Sequence, residues 1–150
     1  MLLHIISQRA DLNFELAMRI MHQLGETVDV MDEVHGFRYL DTRDLTGFID
    51  GTENPKGKQR AVVALIGKED PAFAGGSYVF TQRYVHDLKK WAGVPLKEQE
   101  GAIGRRKRDS KELSDAAKPA TAHISRVVIE AGGEELEIVR HSFPYGTVAA

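Results

Sequence analysis

The chain contains no cysteine. That absence removes disulfides, zinc–thiolate sites, thiolate-held metals and covalent cofactor attachment through a Cys-x-x-Cys-His motif. Any metal must therefore be held by His, carboxylate or Met. Charge of one sign is also lacking: 20 Lys and Arg face 22 Asp and Glu, a formal net charge of −2. Nonspecific nucleic-acid binding needs a cationic excess and is disfavoured. No apolar run approaches the length that spans a bilayer, and the N-terminus lacks a basic-then-apolar leader pattern. Aromatic residues make up only 7% and Trp occurs once, but the 42% hydrophobic and 28% charged fractions are those of an ordinary globular domain. These balances lead us to expect a soluble, cytoplasmic type of protein.

What is present mixes both kinds of periodicity. Met1–Ile6 reads as a strand that begins without a turn or cap. Asp11 is placed as an N-cap to a helix carrying Phe14, Leu16, Ala17, Ile20, Met21 and Leu24, closed by Gly25. Thr27–Leu40 is β-branched and partly alternating, which predicts a strand. Asp41–Arg60 is polar and turn-rich. Strands are expected at Ala61–Ile66 and, after Gly75-Gly76, at Ser77–His86. Short helices follow at Leu88–Trp91 and from Pro95 to about Ile103, and residues 104–119 are charged and irregular. Val127–Glu130, Gly132-Gly133 and Glu135–Phe143 read as a β-hairpin. The order lacks regular parallel βα alternation, so the class is α+β. Two related halves joined near residues 41–60 are expected, and both ends read as cut.

The densest local signal is Gly47-Phe48-Ile49-Asp50-Gly51-Thr52-Glu53-Asn54-Pro55. Glycines permit a tight turn and close backbone approach to a flat ligand, with the acid presented between them, and Asn-Pro forces extended backbone after it. An Asp-Gly pair alone reads more readily as a plain surface turn. In the hairpin, Leu136, Ile138, Arg140 and Ser142 share one face, opposite Ile129, Val127, Ser125 and His123. Arg140 and His123 then lie at the far end of an apolar face, where a guanidinium needs an anion unless the sheet ends at Ser125 and both reach solvent. Pro119-Ala120-Thr121-Ala122 is a stiff approach able to aim the His123 imidazole, although His4, His22, His35, His86 and His141 are ordinary histidines by the same pattern. Arg105-Arg106-Lys107-Arg108 is either a solvated face or a seat for ligand carboxylates.

Together these motifs resemble the haem peroxidases of the dye-decolourising (DyP) type. Gly47-Phe48-Ile49-Asp50-Gly51 is similar to that family's GxxDG motif, extended through Pro55. Ile103-Gly104-Arg105, Ala122-His123-Ile124 and Ile138-Val139-Arg140-His141-Ser142 follow in the family's order. The resemblance covers nearly the whole chain, in the flavour of the compact bacterial YfeX-like subgroup, and reads as the central part of such a protein. It implies ferredoxin-like halves of the dimeric α/β-barrel type with antiparallel sheets. Residues 1–45 would close the first half, 46–60 form the GxxDG connection, and 61–150 most of a second, haem-binding half.

The resemblance further implies haem b as cofactor, with His123 as the iron ligand. Asp50, Arg140 and Ser142 would be the distal polar groups, with Gly51 and Thr52 along the haem edge and Arg105 at a propionate. It implies hydrogen peroxide and an organic reductant as substrates, self-association, and in some relatives service as encapsulin cargo. Tyr39, Tyr78, Tyr84, Trp91 and Tyr145 are conceivable electron relays. A ligand and a distal arginine must occupy opposite faces of a porphyrin, so the ladder should open before residue 123, leaving His123 in a loop after Pro119. Two other readings are a haem-handling protein with incidental turnover and a ferredoxin-like interaction module without cofactor. The second leaves the set Asp50, His123, Arg140 and Ser142 unexplained.

Overall fold

The computed structural model describes residues 1–147, so Val148 and the last residues of the expected 61–150 segment lie outside the described residues. The chain divides into a unit Met1–Val34 and a unit from His35 onward.

The first unit is one helix with two irregular flanks. Helix α1, Ala10–Leu24, is capped by Arg9 rather than by the expected Asp11. The Ser7 hydroxyl accepts the Arg9 N–H at 3.1 Å, and Arg9 Nε donates to Asp11 Oδ1 at 3.0 Å. Asp11 instead lies in the first turn, where its charge meets the positive end of the helix dipole. Gly25 closes the helix with φ +53°, as its position suggested. Met1–Ile6 and Val28–Val34 form no ladder.

Within the second unit, His35 onward, residues 36–37 meet residues 143–145. Gly36 bridges Tyr145, the Phe37 N–H donates to Pro144 O at 2.9 Å, and a Cβ on Gly36 would stand 3.0 Å from the Phe143 Cβ. Helix α2, Lys58–Ala64, replaces the strand expected at Ala61–Ile66. Lys58, Gln59, Arg60 and Ala61 are strong helix formers and carry Val62 and Val63 along with them. Helices α3 (Leu88–Ala92) and α4 (Leu96–Ile103) match the short helices read from the pattern. Asp87 caps α3 by accepting the Lys90 N–H at 2.9 Å.

Helix α5, His123–Val127, was not anticipated. Strands β1 (Glu130–Ala131) and β2 (Glu134–Glu135) pair across Gly132-Gly133, whose φ values of +65° and +86° suit a two-residue hairpin turn. The Glu130↔Glu135 register is the one the hairpin pattern gave. Among the described residues no other ladder forms, against the strands expected at 27–40 and 77–86. β-branched and aromatic residues express fit to a half-buried sheet, not a backbone preference of their own. Phe80 and Val85 are 73% and 92% exposed, so nothing here packs on them as a sheet neighbour would.

Among the described residues of this unit, Phe48, Ile66, Ala122 and Pro144 are buried apolar residues. The Phe48 ring lies 6.4 Å from Trp91 and under the Lys107 ammonium at 5.6 Å. Among the described residues no helix is long and apolar enough to cross a membrane.

Candidate functional site

The Gly47–Pro55 loop is folded back on itself before it meets anything else. Gly47 turns with φ +87°, the Asp44 N–H donates to Phe48 O and the Asp50 N–H to Thr42 O, both at 2.9 Å. Arg43 locks this turn from beneath. Its guanidinium donates to Gly47 O at 2.7 Å, Lys107 O at 2.8 Å and Arg108 O at 3.3 Å. One side chain thus joins the loop to the basic segment 105–108. Sequence reasoning passed over Arg43, which sits in no motif. The Trp91 indole N–H adds a bond at 2.9 Å to the carbonyl of Thr46, the residue that precedes this loop.

Asp50 and the segment 140–142 are brought together. The Ser142 N–H donates to Asp50 Oδ2 at 2.7 Å. Two residues earlier, the Arg140 N–H donates to Asn54 Oδ1 at 2.8 Å, and Asn54 Nδ2 donates to Arg140 O at 2.6 Å. Gly51, between the two anchors, has φ +70°. A Cβ there would lie 2.7 Å from Asn54 Nδ2 and 3.5 Å from Arg140 O. His141 faces elsewhere, with its Nε2 2.8 Å from Arg60 Nη2 of α2. The Arg140 guanidinium reaches Val127 O at 3.2 Å, the last residue of α5. Thr52 is half-buried in the loop.

His123 opens α5 and so is not in a loop. The final ladder bond runs from the Leu136 N–H to Ile129 O at 2.7 Å. The chain leaves the hairpin at Val128, five residues before the limit that opposite haem faces require, and coils into a helical turn. Ala122 is fully buried, and Ile124 Cγ1 would lie 2.5 Å from a Cβ on Gly104, so the neighbours of His123 are seated on the end of α4. The imidazole itself is exposed. At a rise of about 1.5 Å per residue, His123 and the Val127 carbonyl that holds Arg140 are separated by about 6 Å along the helix. Ligand candidate and guanidinium therefore belong to opposite ends of one turn, not to neighbouring rungs.

Arg105 is occupied within the protein. Its guanidinium donates to Glu53 Oε1 at 2.6 Å and to Ser110 O at 2.9 Å, and it lies 3.6 Å from Glu112 Oε2. Its side chain is 12% exposed, so a ligand carboxylate would have to compete with Glu53. Lys107 donates to Gln99 Oε1 at 2.7 Å, and Arg106 pairs with Asp109 at 2.5 Å. These two residues of the basic cluster are thus engaged as well. The Lys111 backbone N–H, with the Arg106 guanidinium beside it, holds the Asp109 carboxyl below the usual carboxylate range. A concavity of about 600 Å³ opens between α4 and residues 113–121, but none of Asp50, His123 and Arg140 lines it.

The donor set suits an iron porphyrin. An exposed imidazole on a fixed turn can ligate iron, and a carboxylate and a guanidinium on one hydrogen-bonded unit can serve peroxide.

Comparison with known proteins agrees with this chemistry. Residues 41–150 match the family model described as Dyp-type peroxidase, C-terminal, and residues 1–38 match Dyp-type peroxidase, N-terminal. A dye-decolorizing peroxidase of Mycolicibacterium paratuberculosis is 51% identical over 97% of this chain and 42% of its own length. A DypB variant of Rhodococcus jostii, solved in complex with haem, superposes with a TM-score of 0.90 at 47% identity, covering 95% of this chain and 46% of that one. A shorter match, 34% identical over 76 residues, is to a deferrochelatase of Escherichia coli and covers 47% of this chain and 18% of that protein. The chain thus spans less than half the length of the relatives it matches.

Proposed function

Because the chain belongs to the DyP-type peroxidase family, we propose that the protein is a haem b peroxidase. It uses hydrogen peroxide to oxidise bulky reductants such as dyes, phenols or porphyrinogens. The observation that carries this reading is the bond from the Ser142 N–H to Asp50 Oδ2, with Arg140 two residues away on the same segment. Within the family the reading leans to the DypB-like enzymes rather than the YfeX-like subgroup, on the high identity to mycobacterial and Rhodococcus proteins.

His123 would hold the haem iron, and Gly51 and Thr52 would lie along the haem edge. Bound haem supplies the iron at which the peroxide O–O bond is cleaved and two oxidising equivalents are gained. The residues do the rest. Asp50 is fixed through Oδ2, which leaves Oδ1 to take a proton from one peroxide oxygen and return it to the other, which departs as water. Arg140 brings fixed positive charge to the bond as its electron pair moves onto that leaving oxygen. The Ser142 N–H orients Asp50, and its hydroxyl is the third polar group of the set. Arg105, already paired with Glu53, would meet a propionate only by sharing its guanidinium.

In this reading residues 1–45 complete a first ferredoxin-like half, 46–60 connect, and 61–150 belong to the second, haem-binding half. The segments without ladders would find their sheet neighbours in the rest of such halves. Cytoplasmic location, self-association and encapsulin packaging come with the family resemblance alone. Iron release from haem is a second reading, favoured by the shorter deferrochelatase match.

The test is peroxide-dependent dye oxidation by the haem-loaded protein. Arg140→Ala should keep the Soret band and lose dye oxidation. No peroxide-dependent oxidation by the haem-loaded parent would remove the peroxidase reading, and undiminished oxidation in the variant would deny Arg140 its role.

A further inference from the structure

We propose that Asn54 is a positioning residue for Arg140, holding the guanidinium in register with Asp50 by pairing its side-chain amide with both backbone groups of Arg140. This rests on the reading of Asp50 and Arg140 as the peroxide-side pair.

A carboxamide carries a donor and an acceptor in one plane, as a peptide group does. Asn54 uses both on a single residue: Oδ1 accepts the Arg140 N–H at 2.8 Å and Nδ2 donates to Arg140 O at 2.6 Å. That is the pattern of a strand neighbour, made by a side chain on a segment with no ladder of its own. Alternate residues of a non-helical segment present their N–H groups to the same side, and here residues 140 and 142 both do so toward the loop. The loop meets them with two side chains in antiparallel order, Asn54 at Arg140 and Asp50 at Ser142. The acid and the arginine are therefore spaced by one two-point clamp rather than by two independent contacts.

The rest of the loop is shaped around this clamp. The Asn54 N–H turns back to Gly51 O at 3.2 Å. Pro55 restricts the Asn54 backbone to the extended region. Gly51 has no side chain where one would strike Asn54 Nδ2 at 2.7 Å. Only Asn has this reach and this chemistry. Asp keeps the acceptor but sets a carboxylate oxygen against Arg140 O, Gln is a methylene too long, and Ala supplies neither bond.

The experiment combines amide hydrogen exchange of the haem-free protein with stopped-flow peroxide reaction of the haem-loaded protein. Asn54→Ala should speed exchange of the Arg140 N–H about tenfold, the loss of one hydrogen bond, while Ser142 stays protected by Asp50. It should also slow the peroxide step about tenfold or more, leaving the later reductant step unchanged. Asn54→Asp, which keeps the acceptor, should preserve Arg140 protection and still slow the peroxide step. It serves as the test if the Ala variant does not fold. Unchanged Arg140 exchange in the Ala variant, or an unchanged peroxide step in the Asp variant while Arg140→Ala slows it, overturns the proposal. If Arg140→Ala itself leaves the peroxide step unaltered, the reading of the pair fails, and the exchange result alone reports on the clamp.

Discussion

Asp50 Oδ2 accepts the backbone N–H of Ser142 at 2.7 Å, a bond that spans 92 residues of sequence. A backbone donor is not removed by changing the side chain at 142, so this bond does not depend on the Ser142 hydroxyl. It fixes one oxygen of the carboxylate and leaves the other for chemistry. Asp50→Asn can keep the same bond through its amide oxygen but cannot carry a proton on and off. The variant should bind haem with an unchanged Soret band and oxidise dye at least about 100-fold more slowly. Initial-rate assays beside the absorption spectrum check both halves, and a rate within a few-fold of the parent would deny Asp50 its role.

The seat of His123 depends on Gly104, which lies 19 residues earlier in the chain. Gly104 ends α4 with φ +93°, and a Cβ there would stand 2.5 Å from Ile124 Cγ1 and 3.2 Å from the Ala122 Cβ. Gly104→Ala should cost about 1–2 kcal/mol from the left-handed backbone alone, and should displace α5 as well. Haem affinity, measured by haemin titration, should fall together with the unfolding midpoint. Lowered stability with unchanged affinity would separate α5 from the haem site.

Arg43 carries three carbonyl groups on one guanidinium. Arg43→Ala leaves two part-buried acceptors, Gly47 O and Lys107 O, without their donor and should destabilise the fold by about 2 kcal/mol. Arg43→Lys, a point charge without the planar fork, should recover only part of this. Urea denaturation gives the comparison, and full recovery by Lys would show that charge alone suffices.

Asp109 gives the loop that presents Arg105 a pH response of known sign. Its carboxyl is held low first by the Lys111 N–H and then by Arg106. A depressed native value means the contribution is present above the unfolded value of about 3.9 and is lost as pH falls through the lower native one. Asp109→Asn should therefore be less stable than the parent near neutrality, where the charged carboxyl contributes, and the two should converge as pH falls below about 4. A parallel loss in both proteins across that range would assign the acid sensitivity to other carboxylates.

Features set by local chemistry were legible in the sequence: Gly25 at the end of α1, Pro95 opening α4, and Gly132-Gly133 with the Glu130↔Glu135 register. Each is decided by the dihedral freedom of one or two residues. Strands at 27–40 and 77–86 were misread because a ladder needs a neighbour, and a β-branched run cannot supply it. Asp11 was misplaced as a cap because the preference for Asp at N-cap and its preference for the first turn lie one or two residues apart. At the site, Asp50, Arg140 and Ser142 were read from motif order and stand together. Asn54 was seen only as half of an Asn-Pro pair, since a side chain that pairs with backbone 86 residues away leaves no local periodicity. Arg43 was missed for the same reason, and α5 because His123–Val127 is too short to show a helical stripe.

The central claim is that His123 holds haem iron in a peroxide-reactive site. Its most direct test is the visible absorption spectrum of the protein and of His123→Ala with haemin, before and after one equivalent of hydrogen peroxide. The account predicts a Soret band distinct from free haemin that shifts on adding peroxide in the parent, and a free-haemin spectrum in the variant. A variant with the same Soret band and the same peroxide response as the parent would contradict it.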